Sequence, residues 1–140
     1  MSVQLTFDGA LQRYVNKDYA ELVSIAKSVK DIFYPACQQA DTKYGGEYLL
    51  TCIAIAGVTV DKEFSQIEKQ FLCEVMNIPA NSFDTYRNSY SESLYGDIDA
   101  FTDSLDITKK SALLTFLICI CACDEHIQRC ETAYLTKLLN

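Results

Sequence analysis

CIAIAGVTVDKEFSQIEKQFL, residues 52–72, changes character at its middle. The apolar run that ends here begins at Leu49 and reaches Val60; Asp61 then opens an acidic turn, and an amphipathic stretch follows. Val, Ile, Thr and Cys also suit a buried strand, and periodicity does not separate strand from helix in a short apolar segment. Length does. The run from 49 to 60 is long for a strand, and Ile67, Phe71 and Val75 return every fourth residue beyond the turn. Both halves of the stretch are therefore predicted to be helices.

Nearly the same arrangement recurs near the C-terminus. The apolar run Ala112–Cys123 meets Asp124, and Cys130, Tyr134 and Leu138 follow at helical spacing. Shifting the chain by 63 residues places Leu50 on Leu113, Ile55 on Ile118, Asp61 on Asp124, Glu68 on Glu131, Leu72 on Leu135 and Asn77 on Asn140. Phe64 on Ile127 and Phe71 on Tyr134 match in character. Two helix-turn-helix units, each too small to bury its own apolar face, are expected to pack against one another.

Outside the two seams, the segment from Lys17 to Ala40 carries Tyr19, Leu22, Val23, Ile25, Ala26, Val29, Ile32 and Phe33 at three- and four-residue returns, which predicts an amphipathic helix. Pro35 is expected to kink or break it, and Tyr44-Gly45-Gly46 to form the following turn. Phe83, Tyr86, Tyr90 and Leu94 share one helical face, with Asn81 as N-cap and Gly96 as C-terminal stop. A short piece around Ile98, Phe101 and Leu105 follows, and Asp106 or Thr108 caps the helix of the second apolar run. The sum is an all-α single domain over residues 1–140, a bundle of about six to seven helices with two pseudo-symmetric helix-turn-helix halves.

Composition agrees with a compact helical chain. Hydrophobic residues make up 49% and Gly plus Pro only seven of 140, which excludes a disordered or low-complexity protein. The net charge is −7, and the 12 Lys and Arg residues are scattered, so the footprint of a nucleic-acid partner is missing. Neither apolar run reaches the ~20 residues of a membrane span. The N-terminal MSVQLTFDGALQRYV lacks a basic region followed by an apolar one, which predicts a cytoplasmic protein, and seven cysteines in that compartment suit reduced thiols.

The form Asp, two residues, an apolar residue, three residues, Glu, read as DKEFSQIE and DEHIQRCE after apolar helices, resembles the TerB-like family, which includes the tellurite-resistance protein TerB and the N-terminal region of the DjlA co-chaperones. The resemblance covers about residues 46–140. It departs from the family in carrying Lys62 and Glu125 where Gly commonly follows the Asp. It implies an all-helical fold of two similar halves and a non-catalytic module that binds a protein partner in a stress-response or tellurite-resistance-type pathway.

Two readings compete for the acids. Ser65-Gln66-Ile67-Glu68 has the spacing of a capping box, so Glu68 starts a helix, and Asp61 serves the connecting turn. Alternatively Asp61, Glu63 and Glu68, with Asp124, Glu125 and Glu131 as a second set, gather oxygen ligands for a divalent cation, Ca²⁺ or Mg²⁺. An EF-hand is excluded, because the turn Gly is missing and Glu68 comes four residues before the bidentate position. Cys123, His126 and Cys130, with Cys119, fall at helical spacing and form a candidate thiol cluster; buried inert thiols are the simpler account. No catalytic residue is assigned: His126 is the only histidine, and no nucleophile elbow, phosphate loop or zinc-protease helix occurs.

Overall fold

The computed structural model describes residues 17–58, 66–90 and 95–123. Among these residues the chain forms six α-helices and no strand: α1 (Tyr19–Ala40), α2 (Glu47–Val58), α3 (Gln66–Met76), α4 (Ala80–Ser89), α5 (Tyr95–Ser104) and α6 (Ile107–Cys123). The all-α bundle expected from the sequence is what forms among the described residues, and both apolar runs are helical as far as they are described, to Val58 and to Cys123. No helix among the described residues is long and apolar enough to cross a membrane.

The two apolar helices are enclosed on nearly every side, as a helix without a polar face must be. In α2 every residue from Leu50 to Ala56 is buried, and in α6 Leu113, Phe116, Leu117, Cys119 and Ile120 are at most trace-exposed. Polar groups inside them are satisfied locally: the Thr51 hydroxyl donates to the Glu47 carbonyl at 2.8 Å. The surface around these two helices comes from the amphipathic ones.

Helix α1 organises the packing. The Asp18 carboxylate caps it by accepting from the Glu21 N–H at 2.8 Å, and its face of Leu22, Val23, Ala26, Phe33 and Cys37 is buried. It lies chiefly along α6, with Phe33 edge-on to Phe116 at a centroid separation of 5.5 Å. The second apolar run thus leans more on α1 than on the first run, although α2 and α6 do touch. Equivalent residues Leu50 and Leu113, and Ile55 and Ile118, are all in the core. The rest of the proposed repeat, from Asp124 onward, lies outside the described residues.

Four local expectations need correction. Helix α1 runs unbroken through Pro35. Pro35 and Asp31, four residues before it, are both exposed, so water can take up the carbonyl that loses its N–H partner, while Phe33 and Cys37 anchor the helix on the other face. Asn81 is not a cap: α4 already starts at Ala80, behind Pro79, which needs no N–H there. Gly96 does not stop that helix, because α4 ends at Ser89 and Gly96 sits in the first turn of α5. Lastly, Ile67 is 45% exposed and Glu68 only 2%. At about 100° per residue, Phe71, Leu72, Val75 and Met76 define a buried stripe whose centre falls on Glu68 and leaves Ile67 at the margin. Glu68 therefore points into the bundle rather than outward from the turn.

Connections that frame the site follow ordinary stereochemistry. Asn77 ends α3 with φ 56°, and the Ile78 N–H returns to the Cys73 carbonyl at 3.0 Å, a Schellman closure followed by Pro79. Asp106 caps α6, accepting from the Lys109 N–H at 2.9 Å, as its position in the sequence predicts.

Candidate functional site

The turn between α1 and α2 is built around Asp41. Its N–H donates to the Cys37 carbonyl and closes α1, while its carboxylate accepts from the Tyr44 N–H at 3.2 Å and from the Leu49 N–H, in the first turn of α2, at 3.1 Å. One residue thus ends one helix with its main chain and caps the next with its side chain. Gly45 and Gly46 take φ of 62° and 90°, the left-handed region that costs an L-residue with a Cβ. A Cβ on Gly46 would also stand 3.1 Å from the Gln38 nitrogen and 3.2 Å from the Cys37 carbonyl carbon, so a side chain there presses on α1 where the turn folds back onto it.

This turn brings three tyrosines together. Tyr44, Tyr48 and Tyr86 form a triangle with centroid separations of 5.6, 5.4 and 5.7 Å. Two reciprocal bonds tie α2 to α4: the Tyr86 hydroxyl donates to Glu47 Oε1 at 2.7 Å, and the Tyr48 hydroxyl to the carbonyl of Ser89, the last residue of α4, at 3.3 Å. Tyr86 is nearly buried, whereas Tyr44 keeps 40% of its surface exposed. Burial, reinforced by the Glu47 carboxylate, raises the Tyr86 hydroxyl pKa well above the usual range. Burial, with the Cys52 thiol alongside, pushes Tyr48 up to about 12.

The triangle lines a cavity of about 620 Å³, of the size that takes a small ligand or an inserted side chain. Leu49, Ile98 and Phe101 give it apolar walls, and Asp41, Lys43 and Asp97 supply charge. The Lys43 ammonium lies 5.2 Å from the Tyr44 ring centroid, within cation–π range. Aromatic rings, apolar surface and a few placed polar groups are what a binding site needs.

Most of the acids and thiols singled out in the sequence as metal or thiol-cluster candidates lie outside the described residues, which include only Glu68, Cys119 and Cys123 of them. Among the described residues no three His, Cys, Asp or Glu side chains come together to hold an ion. Of the acids only Glu68 is described, and it faces the core. Asp61, Glu63, Asp124, Glu125 and Glu131 lie outside the described residues, as do His126 and Cys130. Cys123 is half-buried and its thiol donates to the Ile120 carbonyl at 3.0 Å. Burial pushes the thiols of Cys37 and Cys119 up to about 12 and that of Cys52 to about 11, so these three are protonated and inert at neutral pH.

Sequence reasoning missed the tyrosine cavity. Tyr44 reads as turn material and Tyr86 as core, and the available signal, Tyr44 and Tyr48 four residues apart across the start of a helix, says nothing about Tyr86 on a distant segment. Comparison with protein-family models, curated proteins and solved structures finds no match to this chain. The site is therefore read from its own geometry.

Proposed function

We propose that this chain is a non-catalytic, cytoplasmic helical module of the TerB-like kind that binds a protein partner in a stress-response or tellurite-resistance-type pathway. The observation that carries the binding reading is the tyrosine-lined cavity at the α1–α2 turn. Tyrosine offers a large rigid surface with a polar tip at low entropic cost, which is why it is enriched where proteins meet. Here Tyr86 and Tyr48 spend their hydroxyls on fixing α4 to α2, and Tyr44 is left on the rim of a preformed hollow. A preformed surface binds without first ordering itself. The seam motifs DKEFSQIE and DEHIQRCE support the TerB-like part of the reading.

Photo-crosslinking tests it. A benzoylphenylalanine at position 44 is expected to give a discrete adduct in cells, and the same group at the exposed Glu21, in the first turn of α1, to give none. Equal labelling from both positions, or none from position 44, refutes the binding reading. The pathway is tested separately: loss of the chain should lower tolerance to tellurite, and unchanged tolerance removes that assignment.

A further inference from the structure

The charges around the tyrosine cavity are unequal. Asp41 and Asp97 line it, and Ala40, the last residue of α1, brings the negative end of that helix to the same place with no basic residue in its final turn. Lys43 is the one cation among the described lining residues, and it rests on the face of Tyr44. The chain as a whole carries −7. The cavity therefore favours positive charge, and a cation of the chain itself already occupies its most exposed ring.

We infer that the cavity receives an arginine side chain from a basic segment of the partner protein. This rests on the reading of the chain as an interaction module and specifies the chemistry of what it binds. The guanidinium stacks on Tyr44 in place of the Lys43 ammonium and pairs with Asp97, while its methylene stem lies against Leu49 and Phe101. Arginine suits this site better than lysine, because its flat, weakly hydrated cation stacks on an aromatic face and forks onto a carboxylate. A quaternary ammonium does not suit it. Rings with centroids 5.4 to 5.7 Å apart, inclined at 55 to 69°, touch at their edges and leave no slot between them for a methylated nitrogen, whereas a planar cation needs only one open face.

Amide correlation NMR on the full chain tests the inference with two probes, a capped hexapeptide carrying one central arginine and its isosteric citrulline counterpart. The arginine peptide is expected to shift the amides of Tyr44, Gly45 and Leu49 and to bind about five-fold more tightly than the citrulline peptide, the size of one exposed cation–π contact with its carboxylate partner. Asp97→Asn should weaken it by a similar factor, and Lys43→Gln should strengthen it by removing the resident competitor. Weakening by Lys43→Gln overturns the inference, because it marks Lys43 as the anchor for an anion. Equal binding of the citrulline peptide overturns the arginine assignment and leaves the interaction reading standing. No shift with either peptide also overturns it, and the crosslinking at position 44 then decides the interaction reading independently.

Discussion

Replacing Gly46 by alanine should damage this protein in a way that replacing Gly45 does not, although the two are adjacent in one turn. Both have positive φ, which costs an L-residue about 1–2 kcal/mol, offset by about 0.4–1 kcal/mol because alanine restricts the unfolded chain. At Gly45 nothing lies within 4 Å of the added methyl, so Gly45→Ala should cost only about 1 kcal/mol. At Gly46 the methyl meets α1 at 3.1 to 3.2 Å, and two of the three contacts are backbone atoms that cannot rotate aside. Overpacking of that kind adds about 1–3 kcal/mol. Gly46→Ala is then about 2–4 kcal/mol less stable than the parent, and in urea, with a slope of about 2 kcal/mol per molar, its midpoint should fall roughly 1 M below that of Gly45→Ala. Far-UV circular dichroism of the two variants measures this directly. Coincident midpoints would refute the claim that close approach to α1, rather than φ alone, demands glycine at position 46. The same variant should blur the tyrosine cavity, since Tyr44 and Tyr48 flank the displaced turn.

Other consequences can be checked alongside. Phe33→Ala removes a fully buried ring packed edge-on against Phe116 and should cost about 3–5 kcal/mol in the same urea assay; a loss under about 1 kcal/mol would mean that α1 is not the spine of the core. Thiol labelling followed by peptide mapping should modify the half-buried Cys73 and Cys123 before Cys37, Cys52 and Cys119, which should react only on unfolding. Those three thiols, with Tyr34 and Tyr48 near 12, have folded pKa values raised by burial. Their contribution to stability is therefore complete below about pH 9 and is lost as pH rises from there toward 12, so alkaline unfolding should coincide with late tyrosine ionisation seen by ultraviolet absorbance. Tyrosines that all titrate together near pH 10 would contradict the raised values of the half-buried Tyr34 and Tyr48. Finally, millimolar calcium or magnesium should leave the thermal midpoint unchanged, whereas an upward shift would show that the acids at the seams hold a cation.

Much of the architecture could be read from linear order. Runs such as Leu49–Val60 are long for a strand and too apolar for a surface helix, so length and composition together pointed to buried helices. Asp106 three residues ahead of the Lys109 N–H, and Tyr-Gly-Gly between two periodic segments, are local signals, and both hold. Signals that depend on a neighbour were not legible. The rotation of α3 placed Glu68 inside and Ile67 outside because four apolar residues outvoted one, and Pro35 was tolerated because the opposite face of α1 is held by α6. The candidate site belongs to the second kind. Asp41, Tyr44 and Tyr48 are close in sequence, but Tyr86, Ile98 and Phe101 reach them only when α4 and α5 fold back onto α2, and a single sequence records no such distance. Sequence by itself determined that the chain buries two apolar helices behind amphipathic ones, because hydrophobicity and periodicity act along the chain. Only the tertiary structure decided which residues share a cavity, because that depends on how helices distant in sequence are turned toward one another.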